Sequence, residues 1–514
     1  MATSEEGSAT ESAPAPYRAL TDAYERIAYL GHAAMVLGWD QQVMMPEGGA
    51  PARAKQLSAM RSVIHDAVTD GDFETHLEAV PEDDLTDDQR AVVREIRRQV
   101  DRETAVPRAV VEGITEQGAK NQQVWQRAKA EDDFASFAPG LESLKERQVE
   151  RAEHLVANAD SVDPNTSSYE VMFEDSEPYL PLERVEEIFD ELRDGLVPLI
   201  EEVRENGADL PEPFEPTYDE AAQRAMCEDV LDLLGYDWDR GRLDVAPHPF
   251  MSGTQFDARV TTRFNERTPI DALYSTIHEF GHASYQLGLR QDAYGSPLGE
   301  SRSSGVHESQ SRFWENHVGR TRAFWEYFLP TFTEHFPEHE DLTVDEAYAA
   351  VNRIYPENLI RVEADELTYH LHIILRCEID RAFVEGEATV EELPQLWNEK
   401  MDEYLGVVPE TDANGILQDI HWTRSFAVFH GYTVGSVLAA QLDAAMREDL
   451  EADVDELIRT GEFQPLWDWM TEHVHRHGQR YTTDELIEVA TGEPLTAAYF
   501  LEYAEEKFGD LYGI

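Results

Sequence analysis

The chain has 514 residues, 41% hydrophobic and 28% charged, a balance that belongs to globular proteins and is enough for a large core. Its 42 Lys and Arg stand against 104 Asp and Glu, a formal net charge of −62 that, spread over the whole length, excludes the basic patch of a nucleic-acid-binding surface. Cys227 and Cys377 are too few for a disulfide framework, and the longest early apolar run, Ile27 to Trp39, is interrupted by His32 and too short to cross a bilayer. In chain order, Met1 to Pro16 is rich in Ser, Ala, Glu and Pro and is expected to be a disordered acidic tail, with residues 17–514 forming one domain. From Tyr17 the pattern is helical, with Leu20, Tyr24, Ile27 and Leu30 on one side; Trp39, Met44 and Met45 read as core.

Thr86 to Asn158 reads as long polar helices broken at Pro107 and Pro139, followed by an amphipathic helix from Leu182 to Val203 and a Pro-rich loop from Asn206 to Tyr218. Strand character is clear in one place, Phe256 to Phe264, after His248-Pro249-Phe250 and Ser252-Gly253, and predicts a short antiparallel element. From Leu289 onward the pattern is helical again, with loops at Gly295–Gly305, Val408–Gly415 and Tyr481–Thr483.

Chemistry concentrates between Thr268 and Gly288, around His278-Glu279-Phe280-Gly281-His282. Thr268 reads as an N-cap, Pro269 as a first-turn residue, Asp271 as the acceptor of a capping box and Gly288 as the stop. Leu273, Ile277, Phe280, Ser284 and Leu287 form one stripe, with Tyr274, His278, His282 and Tyr285 opposite. Imidazoles four residues apart on a helix face the same way, which suits two nitrogen ligands of one Zn²⁺. Glu279 is placed to take a proton from activated water. Catalytic zinc needs one more protein ligand. Tyr285 and Gly288 stand where the long three-histidine pattern needs Gly and His, so a carboxylate from a following helix is required. Spacing gives Glu308 a slight preference over Glu300 and Glu315, with His307 a rival.

With these residues in view, the chain resembles metallocarboxypeptidases of the thermostable carboxypeptidase Taq family over nearly its whole length. The family signatures are H-P-F, D-x-R-x-T, H-E-x-x-H, H-E-S-x-Q, I-R-x-x-A-D and G-x-x-Q-D-x-H-W. Five stand here as His248-Pro249-Phe250, Asp257 to Thr261, His278 to His282, Ile360 to Asp365 and Gly415 to Trp422. The sixth is His307-Glu308-Ser309-Gln310, its Gln one place early. The resemblance implies a mainly α, two-lobed helical fold like neurolysin and angiotensin-converting enzyme, built around a deep cleft. It also implies one metal per chain (Zn²⁺, with Co²⁺ able to serve) held by His278, His282 and Glu308, with Glu279 as general base. Family members are homodimers that remove C-terminal residues from peptides with broad specificity.

A carboxypeptidase must grip a free α-carboxylate, a task for a fixed guanidinium. Arg361 is the first candidate and Arg259 the second; the alternative for Arg361 is a salt bridge to Glu363, Asp365 or another nearby carboxylate. For the oxyanion, the family carries G-Y-F-P-T-Y after the H-W motif. Ala427-Val428-Phe429-His430-Gly431-Tyr432 keeps only the last tyrosine, which makes Tyr432 the donor, with His248 and His421 as further polar groups of the cleft. Two other readings stand beside this one: a zinc oligopeptidase cutting internal bonds, which would share the H-E-F-G-H core, and a non-catalytic peptide-binding protein with a structural metal. Intact Glu279 argues against the latter. Lysine is confined to Lys55, Lys120, Lys129, Lys145, Lys400 and Lys507, and so acidic a surface repels itself unless salt screens it. The expectation is a halophilic, cytoplasmic enzyme with no membrane attachment.

Overall fold

Helices dominate because the chain repeats apolar residues at helical spacing almost everywhere and punctuates them with good caps. The computed structural model describes residues 13–69, 71–214 and 217–514, so most of the expected tail lies outside the described residues. Ala15 and Pro16, read as tail, instead form the first turn of helix Ala15–Val43, where proline's fixed φ is suited. Leu20, Ile27 and Trp39 are its buried residues, whereas Met44, read as core, is 56% exposed. Helix Asp87–Ala105 opens on a capping box between Thr86 and Gln89 and packs Val92 and Ile96 into a small core shared with the first helix. Pro107 separates that helix from Arg108–Glu131 as expected. Pro139 does not break anything: it lies inside Phe134–Asn158. The chain turns instead at Asp132, whose left-handed backbone (φ 54°) ends one helix before Asp133 caps the next.

The strand element is larger than the sequence suggested. Strands β1 (Gly241–Val245), β2 (Met251–Thr254) and β3 (Asp257–Thr262) form a sheet in the order β1-β3-β2, β1 parallel and β2 antiparallel to β3. The sheet is therefore mixed, not purely antiparallel. β1 escaped notice because Gly241-Arg242-Leu243-Asp244-Val245 offers few strand formers and finds its partner only across the intervening β2. Buried Gln255 anchors the β2–β3 turn by donating to the Gly299 and Arg290 carbonyls.

Against this sheet lies Ile270–Gly288, here the histidine helix. The Ile270 N–H donates to Thr268 Oγ1 (3.2 Å), as an N-cap should, but no capping box closes, because Asp271 accepts from Asn265 instead. Gly288 is the last helical residue and has no left-handed backbone; a Cβ there would strike the His475 ring, so close approach, not a turn, requires glycine. The helix is buried on both sides, since Tyr274 and Tyr285 are enclosed along with Leu273, Ile277 and Phe280.

Ser304–Arg312, here the glutamate helix, crosses the histidine helix at backbone contact. A Cβ on Gly281 would stand 2.5 Å from Gln310 O and Ser311 Cα, and one on Gly435 would stand 2.5 Å from Glu308 Cβ and Cγ. Gly435 belongs to helix His430–Asp449, which packs along the other side of the glutamate helix. The glutamate helix runs on into a π-helical turn, Phe313–Gly319, which carries Glu315. Among the described residues no helix is long and apolar enough to cross a membrane.

Candidate active site

The close crossing brings together what sequence spacing left open. His278 Nε2 and His282 Nε2 stand 3.7 and 3.4 Å from Glu308 Oε2, and the three side chains form the one group of His, Cys, Asp or Glu residues with metal-ligand spacing among the described residues. The remaining atom of each is already engaged. His278 Nδ1 lies 2.9 Å from Glu315 Oε2, His282 Nδ1 lies 3.1 Å from the His307 carbonyl, and Glu308 Oε1 accepts from Arg312 Nε at 2.9 Å. Because a carboxylate and a carbonyl can only accept, both Nδ1 atoms carry the proton and both Nε2 atoms present lone pairs inward. Two lone pairs and a carboxylate oxygen facing one point is an arrangement that only a cation satisfies, and the nitrogen–oxygen donor set fits a divalent metal of the zinc type.

Glu315, weighed above as a ligand, instead accepts from His278, one of the three converging side chains. It is held in turn by Arg312 Nη1 (3.3 Å) and Arg320 Nη2 (3.0 Å). Burial alone would raise the Glu308 and Glu315 carboxyls, but the Arg312 guanidinium above all, with the imidazoles, holds both well below the usual carboxylate range. Burial likewise works against a charged His278, yet Glu308 and Glu315 raise its pKa. His307, the other rival, stacks on the His282 ring (4.5 Å between centroids) and is kept neutral by burial and by the neighbouring His282. Glu300 lies elsewhere, paired with His32. Glu279 is buried beside β2, and that burial raises its pKa, against the pull of the two imidazoles and the nearby Met251 amide.

His278, Glu308, Arg361 and Tyr432 line one cleft of about 830 Å³. Arg361 pairs neither with Glu363 nor with Asp365: its Nε faces Asp419 Oδ2 at 3.7 Å, its backbone N–H donates to Gln418, and its guanidinium lies over Phe429. Burial works against the Arg361 charge, but Asp419 raises its pKa. His421 joins this arrangement through Asp419 Oδ1 (2.6 Å). Tyr432 packs against Tyr369 and Phe429, and burial raises its hydroxyl. Two candidates are placed otherwise. Arg259 is committed bidentately to Asp257 and stacks 4.2 Å over Trp39 beside a separate cavity, so it is not available to a carboxylate in the cleft. His248 is exposed on the β1–β2 connection, and the adjacent Pro249 lines the cleft. Sequence reasoning missed Arg312 and Tyr369; the i, i+4 and i, i+3 spacing of Arg312 from Glu308 and Glu315 was the available signal.

A deep cleft in a helical fold, with paired imidazoles, a converging carboxylate and a buried glutamate beside them, is the framework of a metal-dependent peptidase. Residues 19–508 match the carboxypeptidase Taq (M32) metallopeptidase family. The chain is 36% identical over 509 residues to thermostable carboxypeptidase 1 of Thermus thermophilus (97% of this chain, 99% of the relative) and 35% identical over 497 residues to carboxypeptidase 1 of Bacillus subtilis (96% and 97%). The crystal structure of the M32 carboxypeptidase from Deinococcus radiodurans superposes with a TM-score of 0.92 at 36% identity, covering 98% of this chain and all of that one. The chain belongs to the carboxypeptidase Taq family and is a metallocarboxypeptidase, a hydrolase that depends on a divalent metal ion.

A divalent ion taken up by His278, His282 and Glu308 should be held about 10- to 100-fold less tightly in Glu315→Gln, because an orienting carboxylate is lost. Competition with a chromogenic chelator measures this; unchanged affinity would show that Glu315 does not set the His278 ring.

Proposed function

We propose that the protein is a zinc carboxypeptidase that removes residues one at a time from the free C-termini of peptides, with broad side-chain tolerance. The observation that carries this is the shared cleft: the His278–His282–Glu308 group and the buried guanidinium of Arg361 open onto the same space. When bound, the ion supplies Lewis acidity, which acidifies water and polarises a carbonyl; Zn²⁺ is the ion this donor set favours, and Co²⁺ could serve. Glu279, buried beside the Met251 amide, accepts the proton of the attacking water on its carboxylate and returns it to the leaving amine. The Tyr432 hydroxyl donates to the oxygen that becomes negative at the tetrahedral carbon. Arg361, charged and braced by Asp419, binds the terminal carboxylate, so the peptide is held at its end and the last bond lies beside Glu279.

Glu279→Gln should retain the metal while kcat falls on the order of 10²-fold or more; substantial residual turnover in metal-replete protein would remove Glu279 from the role of base. Arg361→Gln should raise KM for a free peptide by about 10- to 100-fold, the worth of a hydrogen-bonded charge pair. The same peptide with an amidated C-terminus should be a poor substrate of the unaltered enzyme and indifferent to the substitution. Equal cleavage of acid and amide would instead favour internal cutting.

The same reading takes residues 17–514 as one catalytic domain, homodimeric and cytoplasmic, working at high ionic strength. The acidic surface supports the last point, since like charges repel within about a Debye length and molar salt shortens that length to roughly 3 Å. Thermal melts and light scattering across salt concentration test it: melting should rise from dilute to molar salt with the dimer retained, and a flat or falling melting temperature would count against halophilic adaptation.

A further inference from the structure

Tyr369 has no part in the chemistry above, yet it stands between its two halves. It lies in the first turn of helix Thr368–Val384 and lines the cleft together with Arg361, Arg312 and Tyr432. The Arg312 guanidinium, which donates to Glu308, covers the Tyr369 ring at 5.0 Å, and the Tyr432 and Tyr369 rings meet edge to face at 6.2 Å. These contacts leave the ring little freedom. Its hydroxyl lies beside the Arg361 guanidinium, close enough for each group to shift the other's ionisation. A guanidinium can only donate, so the Tyr369 oxygen can only accept from it and the phenolic proton stays available for an acceptor in the cleft. Burial keeps that hydroxyl protonated by raising its pKa, although Arg312 and Arg361 pull the other way.

Arg361 is restrained on its other side. Asp419 faces its Nε at 3.7 Å, Phe429 lies beneath its plane, and Gln418 holds its backbone. A guanidinium restrained in this way lines the cleft beside Tyr369. The acceptor brought there by a substrate has two equivalent oxygens and a full negative charge.

We propose that Tyr369 is a substrate-binding residue: its hydroxyl and the Arg361 guanidinium together hold the two oxygens of the peptide's terminal carboxylate. This rests on the assignment of Arg361 made above, and it adds a second donor that accounts for how a single arginine fixes the direction of the peptide as well as its charge. A lone guanidinium lets a carboxylate swing about the axis joining them. A phenol fixed by its own packing beside that guanidinium removes the swing and sets the distance from the terminal carboxylate to the bond that Glu279 serves.

The test is Tyr369→Phe in the full-length, metal-loaded enzyme, assayed on one peptide as free acid and as C-terminal amide, with metal content and melting temperature followed in parallel. KM for the free acid should rise on the order of tenfold, the loss expected for one hydrogen bond to a charged group, with kcat, metal content and cleavage of the amide unchanged. An unchanged KM for the free acid, a fall in kcat alone, or an equal loss on acid and amide would each overturn the proposal. The unaltered enzyme serves as the control for Arg361. If it prefers the acid and Tyr369→Phe keeps that preference and the KM, only the Tyr369 assignment fails; if it never prefers the acid, the Arg361 reading fails and takes this one with it. Should the phenylalanine variant melt markedly lower, the inhibition constant of a small monocarboxylate such as 3-phenylpropionate, measured below that melting temperature, decides: a weakening by the same factor supports the proposal and an unchanged constant overturns it.

Discussion

The whole site depends on two helices touching backbone to backbone. At Gly281 the histidine helix presents no side chain, and the main chain of Gln310 and Ser311 fills the space a methyl group would take. Gly435 does the same on the opposite side, against Glu308 itself. Side-chain-bearing helices pack with axes about 8–10 Å apart, whereas a carboxylate as short as glutamate must come from a nearer axis to meet two imidazoles on a neighbouring helix. The glycines thus set the reach of Glu308. An alanine at either position would have to move backbone or the ligand, which in a close-packed interior costs about 1–3 kcal/mol before any effect on metal is counted.

Once assembled at that distance, the charges need an answer for their burial. Glu308 and Glu315 are both less than a tenth exposed, and a lone buried carboxylate would neutralise itself by taking a proton. The glutamate helix and the π-helical turn that continues it solve this together: Arg312 pairs with both Glu308 and Glu315, and Arg320, just past the turn, pairs with Glu315. The carboxylates therefore stay ionised before any metal arrives, and the imidazoles are held in the tautomer that offers Nε2. On the far wall Asp419 plays the corresponding part for Arg361 and Arg376, the latter sandwiched under Trp422.

What could be read from the chain followed the range of the interactions. The histidine helix was legible because its caps, stripe and paired imidazoles are all local. Glu308 was legible only in part: Glu300, Glu308 and Glu315 are equivalent by spacing, and a crossing between distant helices distinguishes them. Arg361 lies in the same cleft as the three converging side chains, but the carboxylate that faces it could not be named from sequence, because Glu363 and Asp365 are neighbours in the chain while Asp419 arrives from another segment in space. Arg259 shows the converse: a short-range pair, Asp257 two residues earlier on the same strand, takes it out of contention. Pro139 and β1 were misread for one reason, that local propensity yields where tertiary packing is strong. Nothing in the spacing of Tyr369 marks it, since its importance arises only from what surrounds it.

The sheet has one more consequence. Glu279 sits on the histidine helix beside the Met251 amide of β2, and Met251 stands opposite Val260 on β3. A shift of one place between β2 and β3 would set Ser252 or Phe250 opposite Val260 and turn every β2 side chain to the other face of the sheet. The turn that forbids such a shift is pinned by Gln255 to the segment leading into the glutamate helix. The strand beside Glu279 is thereby tied, through one amide side chain, to the same stretch of chain that leads into the helix of Glu308, and neither can drift without disturbing the other.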